Sequence, residues 1–258
     1  MRRYTILLLA GASLAACQTA PTANTGFLSG YDGLTEREDT IRASIRERRD
    51  DTAAQGIERV HLEPAVMVGQ AGAALSSEEV QAVLREVDRQ VCYEVSERFT
   101  VVPDARGAAR VRVGVTGVRP TGQAGSGVSA VANVLIPGPG SVRVPGTTGG
   151  LAAEAELVGE TGAQVAALAW ARNANVVGMD SPSTSRIGDA LQLAEPFGDA
   201  VGDAFAPSDR TVREIAEPDP CAVYGPRTQP AGFLTRLVTG VYVPEVNTGS
   251  RPAEAPKP

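Results

Sequence analysis

Between residues 77 and 98 apolar side chains recur at helical spacing. Val80, Val83, Leu84, Val87, Val91 and Val95 fall on one stripe. This period predicts an amphipathic helix that depends on packing, because valine is only a modest helix former. A second stripe (Ile187, Ala190, Leu191, Ala194, Phe197, Val201 and Phe205) predicts a helix over about 184–205, with Asp189, Gln192, Asp199 and Asp203 on its polar side. Pro196 interrupts the second pattern without breaking its phase, so one kinked helix is expected.

Elsewhere the period is two. Ala109, Val111, Val113, Val115 and Gly117 alternate with Arg110, Arg112 and Thr116, which predicts a strand with one wet face. Leu151, Ala153, Ala155 and Leu157 alternate with Glu154 and Glu156 in the same way, and Thr161-Gly162 turns the chain into 163–172 as a hairpin. Residues 60–68 carry apolar groups at even positions. Pro64 lacks an N–H donor and places that strand at an edge or a bulge. Residues 35–54 read as a charged helix, with Thr35 and Glu38 at capping-box spacing. The pattern predicts a two-layer α/β sandwich: a mixed or antiparallel sheet of four to five short strands, with the two main helices on one face. The Gly/Ser/Pro-rich stretch 120–150 is a long loop, of a kind that is either functional or mobile.

The first residues follow a different logic. Arg2 and Arg3 precede a short apolar run, Ile6 to Ala12, too short to span a bilayer. Leu14-Ala15-Ala16-Cys17 resembles a bacterial lipobox, in which the Cys17 thiol receives diacylglycerol. The expectation is a lipoprotein signal peptide at 1–16, with Cys17 acylated as the first mature residue and held by more than one chain. Gln18 follows it, and the absence of Asp at that position leans towards the periplasmic face of the outer membrane. The competing reading is an ordinary secretory cleavage with Cys17 incidental.

Removing 1–16 leaves 22 basic against 30 acidic residues, a net charge of −8. Nucleic acid demands a basic face, so it is not an expected partner. In a disulfide-permissive compartment the remaining pair, Cys92 and Cys221, is more often bridged than free. Cys92 sits at the border of its helix's apolar stripe, within reach of a covering segment. The bridge would close 129 residues, worth at most about 5 kcal/mol in the chain-entropy view.

The catalytic inventory is poor. The chain has one histidine, His61, and one lysine, Lys257, next to last in a Pro-rich tail. No nucleophile elbow or phosphate loop appears. One histidine and two cysteines cannot close a zinc site. The stretch 125–130 mimics a dinucleotide fingerprint without the second strand and its acid. Asp199 and Asp203, spaced i, i+4, read as a solvated face. No cofactor, metal or catalytic residue is expected.

Gly26-Phe27-Leu28-Ser29-Gly30-Tyr31 with Leu34, placed just after Cys17, resembles the opening motif of a bacterial lipoprotein family catalogued as domain of unknown function 3313. Glu156-Leu157-Val158-Gly159-Glu160-Thr161-Gly162 with Val165-Ala166-Ala167 is similar to its strand, Thr-Gly turn, strand segment. Members carry Asp-Ser before that turn, where this chain has Val158-Gly159-Glu160. The resemblance covers about 26–206. It implies an outer-membrane-associated α/β domain with no established activity and no functional residues to carry over.

The expected organisation is a signal peptide at 1–16, a tether at 17–25, the α/β domain at 26–206, a C-terminal extension at 207–244 docked near the disulfide, and a disordered tail at 245–258. The expected function is a non-catalytic binding or assembly module of the envelope, held to the membrane by its lipid, with an envelope protein as a candidate partner. The alternative is a hydrolase working through carboxylates alone, which requires two facing carboxyl groups across a cleft.

Overall fold

The computed structural model describes residues 22–38, 40, 43–122, 141–143, 146–175, 177–178, 180–225, 230–239 and 241–244. Cys17, Lys257, the stretch 125–130 and the tail lie outside them. In chain order the elements are β1 (Thr35–Glu36), β2 (Ala43–Arg49), α1 (Asp51–Gln55), β3 (Arg59–Leu62), β4 (Val66–Met67), α2 (Ser77–Ser96), β5 (Thr100–Val101) and β6 (Ala109–Arg119). They continue with β7 (Ser141–Val142), β8 (Gly150–Val158), β9 (Gln164–Asn173), β10 (Val177–Gly178), α3 (Gly188–Phe205) and α4 (Pro230–Thr239).

The main sheet is mixed and has eight strands, not four to five. Its order is β1-β2-β9-β8-β6-β3-β5, with β4 also pairing β6. β2, β9, β8 and β6 are antiparallel neighbours, whereas β3 and β4 run parallel to β6. The uncounted strands are mostly two to four residues long, too short to show a period. Pro64 separates β3 from β4, and β4 pairs only with β6 among the described strands, in keeping with an edge or irregular position. The burial phase flips there: Val60 is fully buried, Val66 is exposed, and Ala65 turns in instead.

Residues 35–54 do not form one helix: β1 and β2 occupy most of the stretch, and only its last residues, from Asp51, are helical, in α1. The Thr35 hydroxyl donates to Glu47 O instead of capping, and β2 pairs along its whole length with β9. Ile45 points into the core while Ser44 and Arg46 hold residues 22–24 on the other face. A run of Arg and Glu satisfies either period, and the neighbouring strand decides.

Of the expected stripes, α2 starts at a capping box, Ser76 with Glu79, and buries Val83, Val87, Val91 and Val95. α3 runs unbroken through Pro196. The two helices approach closely: a Cβ on Gly198 would sit 2.9 Å from the backbone of Gln90. Both stripes join the inward residues of β2, β3, β6, β8 and β9 in one core. The β8–β9 hairpin turns at Gly162, whose φ of +85° suits glycine.

Cys92 and Cys221 are bonded to each other and buried. The Tyr93 hydroxyl donates to Gly225 O beside them. The C-terminal extension docks only in part. Tyr242 enters the core and its N–H donates to Pro182 O, while Leu234 and Val238 of α4 are exposed.

Candidate functional site

Two places bring carboxylates and apolar surface together, and the first was read as wet. Glu154 and Glu156 lie on the sheet face opposite the helices, yet both are essentially inaccessible to water. Small residues explain why. Gly114, Ala167 and Ala169 make a flat shelf on that face, and residues 22–31 cross it as a strap. Phe27 sits on Gly114, where a Cβ would come within 2.8 Å of its ring, and Arg112 stacks over the same ring at 5.2 Å. Leu28 is buried.

The strap's polar groups meet the two carboxylates. Glu156 accepts from Ser29 N (2.8 Å), Ser29 Oγ (3.0 Å), Gln164 Nε2 (2.7 Å) and Arg112 Nη1. Four donors fill the lone pairs of its two oxygens. Glu154 accepts from Thr25 Oγ1 (2.7 Å), Thr25 N (3.3 Å) and the Tyr31 hydroxyl (2.8 Å). That hydroxyl also accepts from Gly26 N and Leu28 N, which closes the strap on itself. Phe27, Ser29, Gly30 and Tyr31 of the opening motif therefore hold the chain start to the sheet.

The second place is a groove of about 380 Å³ on the helix side, between β2, β9 and α3. Its floor is Trp170, Ile45, Pro196 and Ala200, with Trp170 tilted against Phe197 at 5.6 Å. One rim carries Arg37, Thr40 and Arg172; the other carries Asp199 and Asp203. Both rim arginines arrive with their own carboxylates. Arg37 is held by Glu47, and Arg172 by Asp180 at 2.8 and 3.0 Å. On the opposite wall Arg98 serves both Glu94 (3.0 Å) and Asp203 (2.9 Å). Partial burial, followed by the charges of Glu94, Glu195 and Asp203, pushes the Asp199 carboxyl up to about 6. A recess of about 470 Å³ near the β8–β9 turn is lined by residues of α1, β3, β6 and the turns beside them, with Ile57 its one large apolar side chain. The groove is the better binding candidate because rigid elements build it and a perturbed acid borders it.

Asp199 and Asp203 are exposed, as a solvated face requires, but Asp199 also borders the groove. Asp189, grouped with them on the polar side, is fully buried. It pairs with Arg143 (2.6 and 2.9 Å) and accepts from Gly149 N, so it clamps the root of the 120–150 segment to α3. His61 is half-buried, with Nδ1 3.2 Å from Val102 O and no nucleophile beside it among the described residues. No cluster of three metal-ligating side chains occurs among the described residues. Sequence reasoning missed the groove because Ile45 and Trp170 meet only through β2–β9 pairing, and Pro196 joins them only when α3 packs on that sheet. It missed the strap because 22–31 has no period.

No curated protein matches the chain. Two solved PelC dodecamers from Paraburkholderia phytofirmans are similar at 10% and 11% identity, with TM-scores of 0.35 and 0.37. They cover 62% and 64% of this chain and 97% and 99% of their own. At those scores they carry no argument about fold or function. Among the described residues no helix is long and apolar enough to cross a membrane. The profile of a family described as "Protein of unknown function (DUF3313)" matches residues 23–201, from the strap to the middle of α3, and the chain belongs to that family.

Proposed function

We propose that the chain is an outer-membrane lipoprotein, anchored through Cys17 and facing the periplasm, that acts as a non-catalytic binding or assembly module with the groove as its binding site. The carrying observation is the use made of Glu154 and Glu156. They are adjacent, buried carboxylates of the sort a hydrolase could use, and the strap occupies them with five hydrogen bonds, to which Arg112 and Gln164 add one each. The strap also starts five residues after Cys17, so the globule is held close to the anchor in one orientation.

Two measurements in intact cells test this reading. Palmitate should label the wild type and not Cys17→Ser. A photo-crosslinker at Thr40, on the groove rim, should give a discrete envelope adduct that the same group at exposed Arg106 does not. Wild-type protein without label, or identical adducts from both positions, would refute it.

The hydrolase remains a second reading because Asp199, beside a groove, has its carboxyl pushed up to about 6, towards the range of a general acid. Against it, the facing rim presents Arg37, Thr40 and Arg172, not a second carboxylate. Glycan release by the purified protein, abolished in Asp199→Asn, would establish it.

A further inference from the structure

The groove's charges do not balance, and the imbalance says what it holds. Four carboxylates, Glu94, Glu195, Asp199 and Asp203, bear on its helix wall; among the described residues Arg98 pairs with Glu94 and Asp203, and Arg37 faces Asp203 from across the groove. The arginines across the groove are neutralised by Glu47 and Asp180. Among the described residues Asp199 forms no ion pair, although it borders an apolar floor. We infer that the groove binds a small amphiphile carrying a primary ammonium group, its apolar body on Trp170, Ile45 and Pro196 and its cation against Asp199.

This rests on the groove being the binding site, as proposed above. A small occupant fits better than a protein surface. The exposed large hydrophobic residues among the described ones are Val66, Val212, Val223, Leu234 and Val238, and none of them lines the groove. A stable protein interface needs an apolar core of several hundred Å² on each side, which this charged rim does not supply. The volume of about 380 Å³ falls in the range of small-ligand pockets.

The groups facing Asp199 are Glu94 and Arg98 from α2, Glu195 and Asp203 from α3, Arg37 from the segment after β1, and Arg172 from β9. Its protonation as pH falls through about 6 removes the charge that selects the cation.

Trp170 is the chain's one tryptophan and forms part of the floor, so its fluorescence reports occupancy directly. The experiment uses the full chain carrying Cys17→Ser, so that no acyl chain or detergent competes. Octylammonium, octanol and octanoate are titrated at pH 7.5 and at pH 5, with calorimetry alongside. Octylammonium should saturate the signal at pH 7.5 about tenfold more tightly than octanol, as expected for a partly desolvated ion pair, and octanoate should bind least. That preference should vanish at pH 5 and in Asp199→Asn, whose circular dichroism should match the parent's. Equal, saturable binding of all three tails would overturn the cation inference and leave the groove as a binding site. So would an undiminished preference in Asp199→Asn. Absence of any Trp170 response and any heat would overturn both the inference and the groove's role.

Discussion

The strap face and the groove wall treat carboxylates in opposite ways. On the strap face Glu154 and Glu156 are fully buried, yet each oxygen has a donor, so burial is offset by hydrogen bonds from residues 25–31, Gln164 and Arg112. On the groove wall Asp199 is more accessible, yet partial burial and three neighbouring acids hold its proton to about 6. Exposure alone would rank these sites in the wrong order. Partner count decides: the buried pair is a structural rivet, and the exposed acid is left without an ion pair among the described residues.

The largest effect should come from breaking the rivet. Glu156→Ala strands Ser29 N, Ser29 Oγ and Gln164 against an apolar shelf and leaves Arg112 with only its longer pairing to Glu63. Removing one member of such a cluster costs about 3–5 kcal/mol. Urea unfolding of the full chain should show that loss, and a loss below about 1 kcal/mol would mean the strap contributes little.

Asp88 is an intermediate case and should give the next effect, of the opposite sign. It is largely buried with one donor, Ala65 N at 2.8 Å, and burial pushes its carboxyl up to about 6. The folded chain thus holds this proton more tightly than the unfolded chain, whose aspartates titrate near 4. Stability should rise as pH falls from 7 through 6 towards 4, and the gain should be lost again as pH climbs back through 6. Asp88→Asn keeps the acceptor for Ala65 and removes the charge. It should stabilise the protein by roughly 1–2 kcal/mol at pH 7.5, with no gain at pH 4.5. Thermal melts at the two pH values check this; destabilisation at pH 7.5 would show that the charge itself is needed.

Tyr31→Phe should cost less than Glu156→Ala. It deletes one hydroxyl that donates to Glu154 and accepts from Gly26 N and Leu28 N. The expected loss is about 1–2 kcal/mol. Amide exchange should quicken across 26–31 while β8 stays protected. Equal quickening in β8 would mean that the strap and the sheet open as one unit.

How much of this could be read from residues alone follows from where each signal resides. The α2 and α3 stripes, the β6 alternation and the β8–β9 hairpin were legible because one element carries its own period and one core consumes it. The fate of Glu154 and Glu156 was not. Alternation places them opposite the core, and only a segment more than 120 residues earlier decides whether that face meets water. Asp189 was misplaced for a similar reason, since its partner Arg143 comes from a region without pattern. The opening motif could be recognised as a family resemblance. Its physical role, six consecutive residues fitted to a small-residue shelf, appears only once β6, β8 and β9 lie side by side.

Asp199→Asn should have the smallest effect on stability, and it sharpens the comparison most. If Asp199 is a ligand-facing acid whose one side-chain partner is Glu94, replacing it with asparagine removes repulsion from Glu94, Glu195 and Asp203 and costs no packing. The asparagine amide can donate to Glu94 at every pH, as the protonated acid can only below about 6. The variant should melt about 1–2 °C higher than the parent at pH 7.5 and equal to it at pH 5, because the parent's Asp199 is by then mostly protonated. A melting point that falls at pH 7.5 would place Asp199 among the rivets with Glu156. The wall's surplus charge would then belong to the fold and not to a ligand.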